Sequence, residues 1–138
     1  MTSTLDWYGC STFGFQTAGL SIMLDAYIDR VPGAPGSGLT ADDVEHCDWI
    51  VVGHSHFDHI WGAERIAANT GAKVIGSYET VRVLLDAGVP MEQMICVAGG
   101  ERIDLGDDVV VEVYPSQHSC VWSHDNPIQP DEVCLGDL

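Results

Sequence analysis

The chain has 138 residues, a length that suits one domain with a real hydrophobic core, and 46% of them are hydrophobic, which argues against intrinsic disorder. Five Lys and Arg residues stand against 21 Asp and Glu residues. The resulting formal net charge of −16 repels phosphate backbones and disfavours nucleic-acid binding.

Turn residues and apolar alternation divide the chain into strands and helices. Strands are predicted, in chain order, at residues 5–8, 12–16, 20–25, 49–52, 73–76, 94–98, 101–105 and 109–114. Helices are predicted just after Thr40, at 60–69 and at 79–87, and a Pro/Gly-rich loop at 31–38 precedes the first of them. Strands followed by strand–helix alternation and then by further strands are typical of an α/β fold with a mixed sheet.

Three histidines and an aspartate lie within six residues, directly after the apolar run at 49–52. They are His54, His56, Asp58 and His59, and imidazole and carboxylate are ligands of zinc, iron and manganese. In an extended segment, side chains two residues apart face the same way, so His54 and His56 can converge on one point. Asp58 and His59 follow a turn and can address a second point nearby. The carboxyl end of a buried strand is where α/β folds place ligand sites.

A third ligand for the first metal has to come from elsewhere, and His118 is the best candidate because it lies just beyond the strand predicted at 109–114. Three histidines and a water form an open, catalytic type of coordination, in which the water becomes a hydroxide nucleophile. The alternative is that these are ordinary surface or capping histidines. That alternative suits a single loop residue such as His118 better than four ligand-type residues in six positions.

The pattern His54-x-His56-x-Asp58-His59 after an apolar strand resembles the HxHxDH motif of the metallo-β-lactamase superfamily. Residues 7–13 and 24–27 resemble the branch that includes the ascorbate-6-phosphate lactonase-like hydrolases. The resemblance implies an αββα sandwich, a mixed sheet with flanking helices. This chain would supply its N-terminal half, as a single half-sized domain over residues 1–138.

The resemblance also implies roles for the clustered residues. His54, His56 and His118 would hold the first metal ion, and Asp58 and His59 would contribute to a second. Asp58 would in addition orient the attacking water or accept its proton, which makes it the predicted catalytic residue.

Two further acids match the family pattern. Asp25 resembles the acid that precedes the histidine motif and positions the ligands without touching the metal. Asp137 resembles the family's bridging carboxylate, although only Leu138 follows it, and no residue matches the family's last metal histidine.

The half length has three interpretations that stay open. The chain is a fragment of a full hydrolase, a natural half that completes its site by dimerising, or a half-domain that binds one metal and does little chemistry. A half sandwich would leave one apolar sheet face uncovered, which predicts a homo-oligomer that completes the site or the fold.

The compartment is predicted from the cysteines and the hydropathy. Five cysteines, an odd number without a CxxC pair, favour reduced thiols in the cytoplasm. No apolar run approaches the roughly 20 residues of a spanning helix, and residues 1–6 lack the features of a signal peptide, so no membrane association is expected.

The sequence therefore predicts a metal-dependent hydrolase that uses a metal-bound hydroxide to cleave an ester-like bond, in a lactone, phosphodiester or thioester, of a small cytosolic metabolite. The metabolite can be anionic despite the acidic chain, because a bound dication reverses the local field. Histidine-rich ligands favour one or two zinc ions, and manganese or iron also fit. The alternatives are a non-catalytic metal-binding half-domain that self-associates and, thirdly, di-iron redox chemistry on the same scaffold.

Overall fold

The elements of the fold follow the predicted order closely. The computed structural model describes residues 2–30 and 32–116. Its strands are β1 (Thr4–Trp7), β2 (Phe13–Thr17), β3 (Leu20–Leu24), β4 (Trp49–Val51), β5 (Lys73–Gly76), β6 (Met94–Cys96), β7 (Arg102–Gly106) and β8 (Val109–Glu112). Its α-helices are α1 (Phe57–Ile60), α2 (Ala63–Thr70) and α3 (Tyr78–Asp86), and single 3-10 turns lie at Ala41–Asp43 and Met91–Gln93. In this part of the chain, no helix combines the length and the apolar composition needed to cross a membrane.

The main sheet has six strands in the order β1-β2-β3-β4-β5-β6. β1, β2 and β3 pair antiparallel, and β3, β4, β5 and β6 pair parallel, so the predicted mixed sheet and the α/β class are confirmed. Because parallel strands run in one direction, the carboxyl ends of β3 to β6 meet at one edge of the sheet. β7 and β8 form a separate antiparallel hairpin.

The register of the strands divides their side chains between two hydrophobic cores. One face aligns Met23, Ile50, Val74 and Met94, which are buried together with residues of the helices. The opposite face carries Ile22, Trp49 and Ile75, which pack with Leu105 of β7. Helices, main sheet and hairpin therefore form successive layers, as expected for one half of an αββα sandwich.

The helix predicted at 60–69 is interrupted in the structure. α2 begins at Ala63, and α1 is a separate short helix before it. Gly62, between them, has φ +120°, and a Cβ at this position would lie 3.2 Å from the carbonyl oxygen of Ala26. The chain thus turns sharply where it passes the segment after β3, and this turn leaves Asp58 and His59 on α1.

The helix predicted after Thr40 is only a single 3-10 turn. Asp43 closes it, since its carboxylate accepts the Thr40 backbone N–H at 2.9 Å and the Thr40 hydroxyl at 2.7 Å. Asp48 already pairs with Ser21, whose carbonyl accepts the Asp48 N–H at 2.8 Å. The chain joins the sheet so soon after the turn that no room is left for a longer helix.

Candidate metal centre

The predicted ligands collect at the carboxyl edge of the main sheet. Asp25 directly follows β3, His54 lies three residues beyond β4, and His56 immediately precedes α1, which carries Asp58 and His59. Two adjacent parallel strands and the helix after one of them thus bring five of the predicted residues to one place. His118 and Asp137, the other two, lie outside the described residues.

His54 and His56 converge as expected for side chains two apart in extended chain. Nε2 of His54 lies 2.6 Å from Nδ1 of His56, and the two rings meet edge to face with centroids 4.1 Å apart. Two nitrogen lone pairs would repel at this distance, so one of the two atoms carries a proton and donates it to the other. His56 is buried, with 8% of its surface exposed, which limits the directions in which its ring can turn.

Asp25 holds the third imidazole. Its Oδ2 lies 2.9 Å from Nδ1 of His59, and its Oδ1 accepts the Gly53 backbone N–H at 2.7 Å. The hydrogen bond to Asp25 raises the pKa of His59, and partial burial opposes that rise. When Nδ1–H donates to Asp25, Nε2 carries the lone pair, the form of imidazole that binds metals. The predicted positioning role of Asp25 requires such a contact, and the role itself stays a prediction.

Asp58 and His59 lie beside the pair formed by His54 and His56 without joining it. Nε2 of His59 is 4.0 Å from Oδ2 of Asp58, and 46% of the Asp58 side chain is exposed. The ring centroids of His54 and His59 are 5.0 Å apart. The structure therefore places the Asp58–His59 pair next to the His54–His56 pair, and the assignment of each pair to a separate metal ion stays a prediction.

The donor set suits a metal but is incomplete within residues 2–30 and 32–116. In this region no three His, Cys, Asp or Glu side chains converge closely enough to hold an ion as they stand. Two imidazole nitrogens on one zinc lie roughly 3.4 Å apart, so the pair at 2.6 Å would open by less than about 1 Å to bind one. Between them in the chain, the buried Ser55 Oγ has no hydrogen-bond partner among the described residues. The imidazole side chains and the unpaired Ser55 hydroxyl both fit a site that binds a further polar group or ion.

Ser11 is a contact that the sequence did not single out for a role. Its Oγ lies 3.1 Å from Nδ1 of His59, on the same side of the ring as Asp25. Arg30 braces the loop that carries Ser11, donating to the Tyr8 carbonyl at 2.8 Å and to the Cys10 sulfur at 3.0 Å. The resemblance of residues 7–13 to one branch of a family is the sequence signal that points to this segment.

A cavity of about 510 Å³ opens beside His54 at the same sheet edge. Most of its wall is apolar and comes from the ends of four strands, with Val51, Val52, Ile75, Val97, Ala98, Val111 and Val113 among the lining residues. Polar and aromatic groups also line it, namely Ser77, Tyr78, Glu79, Glu112 and Tyr114. A small organic group thus has room next to the candidate ligands.

One protein-family model matches most of this chain. The model of the beta-lactamase superfamily domain matches residues 21–134. This range includes every candidate ligand except Asp137, and it also includes Asp25.

Similar curated proteins are metal-dependent hydrolases of the UPF0173 group. One from Pyrobaculum arsenaticum is 32% identical over 115 residues, covering 82% of this chain and 49% of that protein. One from Anaeromyxobacter sp. strain K is 38% identical over 123 residues, covering 86% of this chain and 44% of that protein. The chain thus spans about half the length of the relatives it matches.

Solved structures show the same fold, and this chain again covers only part of each of them. A metallo hydrolase from the hyperthermophilic archaeon Ignicoccus hospitalis superposes with a TM-score of 0.67 at 27% identity, covering 85% of this chain and 50% of that one. A diiron beta-hydroxylase from Streptomyces venezuelae superposes with a TM-score of 0.55 at 21% identity, over 75% of this chain and 22% of that one. The second likeness concerns the fold alone.

Proposed function

Because the chain belongs to the beta-lactamase superfamily domain family, we propose that it carries the ligand-bearing half of a metal-dependent hydrolase that cleaves an ester-like bond in a small molecule. The observation that carries this proposal is the meeting of three imidazoles at the carboxyl edge of the sheet, one of them oriented by Asp25. Relatives named metal-dependent hydrolases support it.

In this proposal His54 and His56 hold the first metal together with His118, and Asp58 and His59 contribute to a second. A bound zinc ion supplies Lewis acidity and lowers the pKa of water toward neutrality. Zinc is proposed because imidazole predominates among the donors, and metal analysis of the purified protein decides between zinc, iron and manganese.

The protein's own groups have separate tasks. Asp58 is half exposed, so its carboxylate is accessible to a water molecule that it can orient and from which it can accept a proton. Asp25 accepts a hydrogen bond from Nδ1–H of His59, so that in the neutral ring Nε2 carries the lone pair. The neighbouring cavity receives the part of the substrate that does not react.

The test measures metal content, melting temperature and turnover on the same preparation. We expect one to two equivalents of metal per chain, a higher melting temperature with added zinc, and metal-dependent hydrolysis of a lactone, thioester or phosphodiester. Asp58→Ala should lower turnover by at least about 100-fold with little change in stability. Asp86→Ala removes an exposed carboxylate from the far end of α3 and is the matched control. A chain that contains no metal and gains no stability from zinc contradicts the proposal.

A second candidate function is a metal-binding half-domain that self-associates without turnover. β1 exposes Leu5 (59%) and Trp7 (68%) on the face that continues, through Phe15 and Ile22, into the core beneath the β7–β8 hairpin. We propose that a second copy of the chain covers this face. Sedimentation should show a dimer that Trp7→Ser weakens, whereas turnover abolished by Asp58→Ala would exclude the non-catalytic function.

We also propose that the protein is located in the cytoplasm. This proposal rests on the five cysteines of the chain, an odd number without a CxxC pair; of the described cysteines, Cys10, Cys47 and Cys96 are free. Expression of a tagged protein followed by cell fractionation tests it directly.

A further inference from the structure

We propose that the cavity beside His54 accepts an uncharged or cationic, partly apolar substituent of the substrate and discriminates against an anionic one. This inference rests on the proposed function, because it names the substrate class of that same site. The reacting bond would lie at the histidines, and the substituent would extend from them into the cavity.

The shape and the walls of the cavity favour an apolar group. Its volume of about 510 Å³ is ample for a chain of several carbon atoms. Val51 and Ile75 contribute from adjacent parallel strands, and Val97, Val111 and Val113 contribute from the segments after β6 and along and beyond β8. Each methylene group that enters such a wall strengthens binding by roughly fourfold.

The charged groups of the lining favour a neutral or positive substituent. Glu79 and Glu112 line the cavity, and no Lys or Arg of the described residues does so. The Lys and Arg residues of the chain are Arg30, Arg65, Lys73, Arg82 and Arg102, and residues 117–138 contain none. Arg102 forms an ion pair with Glu112, Nη1 to Oε1 at 2.6 Å, but does not itself line the cavity. An anionic substituent would meet the carboxylates of Glu79 and Glu112, the second of them paired with Arg102, and no lysine or arginine in the described lining itself.

Aromatic rings add to the same preference. Tyr78 and Tyr114 line the cavity and are exposed over 62% and 76% of their surfaces. The face of a tyrosine ring attracts a cation and packs against an apolar chain, and it repels an anion. A dication at the histidines would attract negative charge to the reacting bond, but the apolar walls and carboxylates act on the other end of the substrate.

The test compares three non-hydrolysable amides of matched length that differ only at the far end. Hexanamide ends in a methyl group, 6-aminohexanamide in an ammonium group and adipamate in a carboxylate. Binding to the 138-residue chain is measured by NMR titration, with and without zinc. We expect hexanamide and 6-aminohexanamide to bind at least about tenfold more tightly than adipamate under both conditions. Adipamate binding as tightly as the other two, or no binding of any of the three, overturns the inference.

A charge-reversal pair locates the effect in the cavity. Glu79→Lys should remove or reverse the discrimination against adipamate. Glu92→Lys changes the net charge by the same amount at the amino end of β6, the opposite edge of the sheet, and should leave the order of the three amides unchanged. An equal effect of both variants would assign the preference to overall charge and contradict a role for the cavity.

If Glu79→Lys does not fold, the order of the affinities of the wild-type chain for the three amides still tests the inference. Failure of the proposed function is recognised separately, since it appears as absent turnover and absent metal. A hydrolase that prefers substrates with anionic substituents would retain the function and refute this inference alone.

Discussion

Asp25 joins two ligand-bearing segments through one carboxylate, since it lies 2.9 Å from Nδ1 of His59 and accepts the Gly53 N–H at 2.7 Å. Its backbone has φ +47°, in the left-handed region that Asp and Asn tolerate better than most residues. The strained turn after β3 therefore sets the distance between the segment after β4 and helix α1. We infer that Asp25 controls the geometry of the candidate metal centre without being a ligand itself.

Asp25→Asn should weaken zinc binding by roughly 10- to 100-fold. The amide oxygen can still accept the Gly53 N–H, but the amide nitrogen then faces Nδ1 of His59 and favours the proton on Nε2, the atom needed by the metal. Competition with a chromophoric chelator measures the affinity. Asp25→Ala should lose additional folding stability of about 1–2 kcal/mol, because alanine tolerates the positive φ less well. Unchanged zinc affinity in Asp25→Asn would show that the contact has no positioning role.

Trp49→Phe should lower the free energy of unfolding by about 1–3 kcal/mol. The indole of Trp49 is 92% buried and donates to the Leu105 carbonyl at 3.3 Å, which links the main sheet to the hairpin. Phenylalanine keeps most of the apolar surface but leaves that carbonyl without its donor. Denaturant unfolding measures the difference.

Trp7→Phe is the matched control for this substitution. Its indole also donates to a carbonyl, that of Cys10 at 3.0 Å, but Trp7 is 68% exposed and water can replace the bond. We expect a change within about 0.5 kcal/mol. Equal effects at the two positions would mean that the hairpin contact adds no stability.

Gly76→Ala should destabilise the fold by about 1–3 kcal/mol. A Cβ at Gly76 would lie 2.5 Å from Cγ2 and 2.8 Å from Cβ of Thr80, which is fully buried in α3. The close approach of β5 to α3 therefore requires glycine here. Gly36→Ala places its Cβ in an exposed loop, with its nearest neighbour atom at 3.9 Å, and should change stability by less than about 0.5 kcal/mol. Thermal unfolding of both variants decides the matter.

Cys47 should resist alkylation in the folded protein while the exposed Cys10 and Cys96 react. Burial raises the pKa of the Cys47 thiol from 9.0 to about 11, so its thiolate fraction at pH 8 falls by about 100-fold. Site-resolved mass spectrometry after iodoacetamide treatment measures this, and guanidinium should abolish the difference. Rapid labelling of Cys47 under native conditions would contradict its buried position.

The same shift predicts a pH dependence of stability. The pKa of Cys47 is higher in the folded than in the unfolded chain, so above pH 9.0 the unfolded chain releases a proton that the folded chain keeps. Stability should therefore fall as the pH rises from 9.0 to about 11, and Cys47→Ala should remove this part of the fall. Urea unfolding at several pH values between these limits provides the comparison.

Local patterns predicted the strands well, and long-range contacts explain where prediction failed. The strand at 73–76 was predicted at its observed bounds because its apolar residues lie between turn residues. The helix predicted at 60–69 was broken because Gly62 must pass close to Ala26, which precedes it by more than 30 residues. Helical periodicity carries no information about such a neighbour.

The amino-acid sequence by itself determined the group of ligand types, because His54, His56, Asp58 and His59 are neighbours in the chain and an extended segment brings the first two together. His59 contacts Asp25, 34 residues before it, and Ser11, 48 residues before it. These two contacts depend on the antiparallel pairing of β2 with β3 and on the parallel pairing of β3 with β4. The resemblance to a family predicted that Asp25 supports the site but not that His59 is its partner, and it assigned no role to Ser11.

The cavity was decided by the tertiary structure alone. Its walls come from strands that are far apart in the chain and become neighbours only through sheet pairing and the packing of the hairpin, which no local spacing encodes. Its charge was largely determined by composition, since a chain with 21 acidic and five basic residues has few cations to place there. The sequence thus determined which chemistry was available, and the fold decided which groups meet, because burial and strand pairing act between distant residues.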